Sequence, residues 1–78
     1  MNDMEKLRAL LPHWIEHNQE HAGEFDAWAE KAIAAGHETA AHQMRHAAEA
    51  MHQATGALQA ALAELGGAIA LDHPIHTH

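Results

Sequence analysis

The sequence has no cysteine, so neither a disulfide nor a thiolate metal centre is open to it. That absence matters because the chain has only 78 residues. A domain this small is ordinarily held by disulfides, by a metal or by self-association, and only the last two remain. Basic residues are also scarce: four Lys and Arg stand against eleven Asp and Glu, a formal net charge of −7 with His neutral. A nucleic-acid-binding surface needs a basic stripe, so nucleic acid is excluded as a partner, and attraction to an anionic membrane weakens with it. No apolar run approaches the ~18 residues of a spanning helix. Met1 is followed by acidic Asp3 and Glu5 rather than by a basic stretch and an apolar core. Neither a membrane span nor a signal peptide is expected, and the cytoplasm is the expected location. Serine is missing too, which together with the missing cysteine removes the usual catalytic nucleophiles. The few glycines form no phosphate-binding loop.

What is present is alanine in quantity, with valine and tyrosine absent, a composition suited to helices. Ten histidines in 78 residues are several times the ordinary share. Asn2 or Asp3 can cap a first helix, and acidic Asp3 and Glu5 suit its positive end. Pro12 removes a backbone donor and predicts a kink there, or a fresh helix with Pro12 in its first turn. Helix one is expected over about 3–35, stopped at Gly36. Helix two is expected over about 38–65, stopped at Gly66-Gly67. The hairpin unit is thus residues 1–67, and residues 68–78, with Pro74 and three His, are expected to form a loosely ordered tail.

Apolar residues recur at three- and four-residue steps in both halves. Helix one carries the row Met4, Leu7, Leu11, Trp14, Asn18, His21, Phe25, Trp28 and Ala32. Helix two carries Ala41, Met44, Ala48, Met51, Thr55, Leu58, Leu62 and Leu65. A short turn at Gly36 makes the two helices antiparallel neighbours. Trp14 is then expected opposite Leu58, Phe25 opposite Ala48, and Trp28 opposite Met44 and Arg45. Trp14, Phe25 and Trp28 are read as core, as are Met44 and Met51. Ile15, Ala22, Ala29 and Ile33 widen the apolar face of helix one beyond a single seam, and Ala40, Ala47, Ala54 and Ala61 widen that of helix two. Such a face predicts that two hairpins pair into a four-helix bundle, or that more assemble in a ring.

The main chemical signal lies in the segment from His13 to Glu24. His13, His17 and His21 repeat every fourth residue, and Glu16, Glu20 and Glu24 repeat beside them. Residues four apart share one face of a helix, and two imidazoles so spaced can hold one metal ion. Imidazole with carboxylate suits Zn, Ni, Co, Fe or Cu(II). Helix two adds Glu49 and His52 in a Glu-x-x-His spacing like that of di-iron bundles, although Glu24 and His52 fall on opposite flanks of the seam. The candidate metal ligands are His13, His17, Glu20, His21, Glu24, Glu49 and His52. His42 and His46 are read as solvated. His21 and Asn18 sit in the expected seam, Asn18 opposite Thr55, so this polar layer either sets register by hydrogen bonding or ligates metal through His21. The tail His73, His76 and His78 could collect metal or do nothing specific.

The run His13-Trp14-x-Glu16-His17-Asn18-x-Glu20-His21-x-x-x-Phe25-x-x-Trp28-Ala29 resembles a group of small, uncharacterised, His-rich prokaryotic helical-hairpin proteins. The resemblance covers helix one, and helix two only as an Ala-rich partner. It implies a hairpin fold and metal-linked chemistry. The two-helix architecture is also similar to that of encapsulated ferritins, which build iron sites between subunits, and Glu49-x-x-His52 is the matching motif. The reading is therefore an all-α antiparallel helical hairpin that self-associates as a homodimer or larger assembly. It binds a divalent transition metal for storage, buffering, sensing or delivery rather than catalysis. A purely structural dimerisation or adaptor module is the alternative, and a ferritin-like di-iron ferroxidase is a further one.

Overall fold

The computed structural model describes residues 1–70, and the expectations for the His-containing end of the tail lie outside them. Two helices make up the fold, α1 (Asp3–Ala34) and α2 (Glu38–Glu64), packed against each other as an antiparallel hairpin. The layer they form measures 51 × 23 × 13 Å, so it is one helix thick.

Local chemistry sets both ends of α1. Asn2 caps it: its side chain accepts from the Glu5 N–H at 2.8 Å, and Glu5 Oε1 accepts from the Asn2 N–H at 3.3 Å, a reciprocal box that satisfies two otherwise orphaned donors. At the other end Gly36 takes φ +85°. There the His37 N–H donates to the Ala32 carbonyl and the Gly36 N–H to Ile33, the bonding of a Schellman stop. Gly66 at φ +106° repeats the arrangement for α2, with Gly67 donating to Leu62 and Gly66 to Ala63. Of the two expectations at Pro12, the fresh helix is not observed: α1 is one helix from Asp3 to Ala34 with Pro12 inside it. Pro12 lacks only one hydrogen bond of a long ladder whose other rungs and apolar face hold the helix together.

The buried seam differs from the expected one on α1. Leu11, Ile15, Ala22 and Ala29 are buried against α2, whose buried residues are Ala41, Ala48 and Thr55. Met4, Trp14 and Trp28, expected in the core, are 53%, 39% and 59% exposed. His21 is displaced from the seam with them and is exposed. The cause is a competition between two rows one residue apart. Trp14, His21 and Trp28 share their heptad spacing with Ile15, Ala22 and Ala29, about 100° further round the helix. Alanines on α1 facing alanines on α2 bring the backbones close, and an indole does not fit between them. On α2 the expected seam holds: Met44, Met51, Leu58, Leu62 and Leu65 are half-buried around the fully buried positions. Asn18 and Phe25 are half-buried as well.

Two polar details follow from this packing. Thr55 is 6% exposed, and its Oγ1 has no hydrogen-bond partner among the described residues. The expected Asn18–Thr55 hydrogen bond is therefore not formed. At the open end of the hairpin, Arg8 Nε donates to the Gly67 carbonyl at 2.7 Å and a terminal guanidinium nitrogen donates to Gly66 at 3.1 Å. α2 has no basic residue in its own last turn. Arg8 of α1 supplies that positive charge, where the helix dipole and the unpaired carbonyls call for it.

Thr55→Val removes a buried, unpartnered hydroxyl at nearly constant volume, so it should stabilise the hairpin by roughly 1 kcal/mol. A lower midpoint in urea denaturation would show that the hydroxyl is satisfied after all. Arg8→Met keeps the length of the side chain and loses both charge-assisted bonds. It should destabilise by about 1–2 kcal/mol after allowance for partial exposure, with Arg8→Lys restoring only part because ammonium lacks the fork. Equal midpoints for all three side chains would remove the clamp from the account.

Candidate metal-binding face of α1

The displacement of Trp14, His21 and Trp28 from the seam creates an exposed stripe along α1. His21 is at its middle. Its imidazole lies nearly parallel to the Phe25 ring, with centroids 6.2 Å apart and an interplanar angle of 21°. On the N-terminal side the His17 ring follows at 6.4 Å, tilted by 43°. His17, His21 and Phe25 thus form a ladder of rings, one per helical turn, as side chains four residues apart must on a helix. Packing against Phe25 limits how far the His21 ring can turn, which favours a fixed direction for its nitrogens.

A carboxylate joins the ladder. His21 Nδ1 lies 4.0 Å from Glu24 Oε2, with the two side chains 50% and 64% exposed. Beyond it, the Lys31 ammonium sits 4.1 Å from the centre of the Trp28 ring, a cation–π contact that covers part of the exposed indole. This face brings together the donor pairs His17 with His21, and His21 with Glu24.

The remaining candidate ligands are placed as follows. His13 is half-buried on the same helix, and Glu20 is exposed. Glu49 and His52 are exposed on α2, and by helical position they lie towards the face of the layer away from His21. Among the described residues no three His, Cys, Asp or Glu groups converge on one point that could hold a metal ion. His42 belongs elsewhere: with Ile33, Glu38, Ala41 and Arg45 it lines an open cleft of about 230 Å³ beside the turn.

Two features of this surface are not evident from residue types alone. Phe25 supports the His21 ring from four residues away, a spacing visible in the sequence once Phe25 is not assigned wholly to the core. Arg8 binds carbonyls nearly sixty residues away in the chain, and the only sequence signal for it is the missing cation at the end of α2.

Residues 7–65 match the family described as a domain of unknown function, DUF8180, and the chain belongs to that family. It is 38% identical over 63 residues to an uncharacterized protein of Archaeoglobus fulgidus, an alignment that covers 81% of this chain and all of that protein. No solved structure matches it.

Proposed function

We propose that this protein binds a divalent transition metal through the imidazole and carboxylate groups of the α1 stripe, and that it stores, buffers, senses or delivers the ion rather than catalysing a reaction. The observation that carries the reading is the His17–His21–Glu24 arrangement. Two imidazoles one turn apart and a carboxylate 4.0 Å from Nδ1 of the second, His21, occur together on one helix face. Neutral imidazole and carboxylate are ligands for Zn, Ni, Co, Cu(II) or Fe. His13 and Glu20 border the group on the same helix and are its reserve ligands.

The working form in this reading is a cytoplasmic homodimer or larger assembly in which hairpins pair as a four-helix bundle. Among the described residues no helix is long and apolar enough to cross a membrane. The exposed indoles favour self-association, because a one-layer hairpin leaves apolar surface that a second layer would cover. That same observation supports the second reading, a structural dimerisation or adaptor module with no metal role. A ferritin-like ferroxidase would need Glu49 and His52 to meet acidic ligands from another copy, and it is the least supported of the three.

Calorimetric titration of the full chain with Zn(II) or Ni(II), purified without a His-affinity column, tests the proposal. His17→Ala and His21→Ala should each weaken binding at least about tenfold, a loss of ~1.4 kcal/mol, while His42→Ala and His46→Ala should change it little. Equal losses at all four positions would mean diffuse surface binding. Metal competes with protons for imidazole, so affinity should fall as pH is lowered, with protons released on binding. An affinity that does not depend on pH would move the ligands to the carboxylates.

A further inference from the structure

We infer that the stripe of α1 centred on His21 packs against the same stripe of a second copy, and that the two copies share one metal ion held by His21 and Glu24 from each. This rests on the metal-binding reading above and adds to it that the ligand set is built from two chains, with His21 and Glu24 as the direct ligands and the His17 ring, 6.4 Å from that of His21, holding the His21 ring in place.

The first observation is the shape of the molecule. A layer 13 Å thick has no interior beyond its own seam, whereas stable domains bury apolar faces between at least two layers. Each face measures 51 × 23 Å, more than the roughly 800 Å² per partner that a stable interface uses. Trp14 and Trp28 are 39% and 59% exposed, and indoles are the side chains most often found as interface anchors.

The second observation is which face these residues occupy. Positions 14, 21 and 28 lie one residue before the buried positions 15, 22 and 29, about 100° round the helix, and so project out of the plane of the hairpin. On α2, the half-buried Met44, Met51 and Leu58 are rotated to the same hand from Ala41, Ala48 and Thr55. In an antiparallel pair, flanks of the same hand lie on the same side of the layer. One face therefore carries the indoles, the His21 ring and the methionines together.

The third observation identifies the occupant. Trp14 and Trp28 each stand seven residues from His21, about 10.5 Å along the axis, so the stripe reads the same in both directions from His21. Two such stripes related by a twofold axis through the level of His21 set Trp14 of each copy beside Trp28 of the other, and the two His21 rings face each other. A self-complementary patch of this kind is what a twofold dimer requires.

The fourth observation is the incomplete ligand set. The Nδ1 of His21 and the Oε2 of Glu24 are 4.0 Å apart. Two ligands ~2.0–2.1 Å from a tetrahedral ion stand about 3.4 Å from each other, so a small rotation of two half-exposed side chains makes this pair a bidentate half-site. Among the described residues the chain brings no third group to it. The twofold axis supplies the other half, giving two imidazoles and two carboxylates, a set that suits Zn(II) in number and geometry. The two carboxylates also cancel the charge of the ion.

The test combines sedimentation equilibrium and calorimetry on the full chain, with Zn(II) as the probe and EDTA as its control. The inference predicts a Zn(II)-bound dimer with one ion for each pair of chains. Trp28→Glu should dissociate it and weaken Zn(II) binding about 100-fold, while circular dichroism stays helical. Glu24→Gln should weaken Zn(II) without that loss of self-association in EDTA. A monomer that binds one ion per chain, with an affinity unchanged by Trp28→Glu, would overturn the shared site and leave the metal-binding reading standing. A dimer that binds no Zn(II) would overturn both. If Trp28→Glu loses its helical signal, the stoichiometry and mass of the unaltered chain decide the matter alone.

Discussion

The close approach of two helices through alanine side chains is the constraint on which this structure turns. Ala22 and Ala29 of α1 face a row of Ala41, Ala48 and Thr55 on α2, all buried. Small residues at heptad spacing leave no room for anything bulky along the line of contact. Apart from Leu11 and Ile15, which are buried towards the open end of the hairpin, the large side chains lie on the flanks: the methionines and leucines of α2 are half-buried, and the indoles of α1 are exposed. The same displacement carries His21 out of the seam and onto a face where its ring stacks on Phe25 and its Nδ1 approaches Glu24. A core made mainly of alanine also contributes little, since the apolar area each alanine buries is small. The hairpin compensates with its termini, through the Asn2–Glu5 box, the two glycine stops and the Arg8 clamp.

Much of this was legible in the sequence, and the reasons for the rest are physical. The ends of the helices could be read because Asn2, Gly36 and Gly66 do locally what a helix terminus needs. The seam of α2 could be read because its large apolar residues, Met44, Met51, Leu58, Leu62 and Leu65, all fall in one row, while the neighbouring row of Ala40, Ala47, Ala54 and Ala61 holds only alanine. On α1 both of two rows one residue apart hold large apolar residues, Trp14 and Trp28 in one and Ile15 in the other. Hydrophobicity favours the row with Trp14 and Trp28, and periodicity does not separate it from the row with Ile15, Ala22 and Ala29. What separates them is the distance between helix axes, set by the alanines of the partner helix and invisible on α1 alone. A fresh helix does not start at Pro12 because one missing hydrogen bond is a local loss in a long, packed helix. The clamp by Arg8 was not legible because it joins opposite ends of the chain.

For the candidate site, the spacing of His17, His21 and Glu24 on α1 was informative, since a helix turns a spacing of three or four into proximity whatever the tertiary context. The wider set was less so. Joining Glu49 and His52 to the α1 ligands depends on the rotation of α2 about its own axis, and the helical positions place them towards the other side of the layer. Metal and dimerisation are the two remedies open to a small chain without cysteine. In the arrangement proposed for this family member they are one remedy, because the indole face that needs covering and the half-site that needs ligands are the same stripe.

The most direct measurement of the central claim is the metal content of the protein purified without affinity to its histidines and exhaustively dialysed, compared between the unaltered chain and His21→Leu. The account predicts a transition metal retained by the unaltered chain at one ion for each pair of chains, and none retained by the variant even though it remains folded. Equal metal content in both, or none in either, would contradict it.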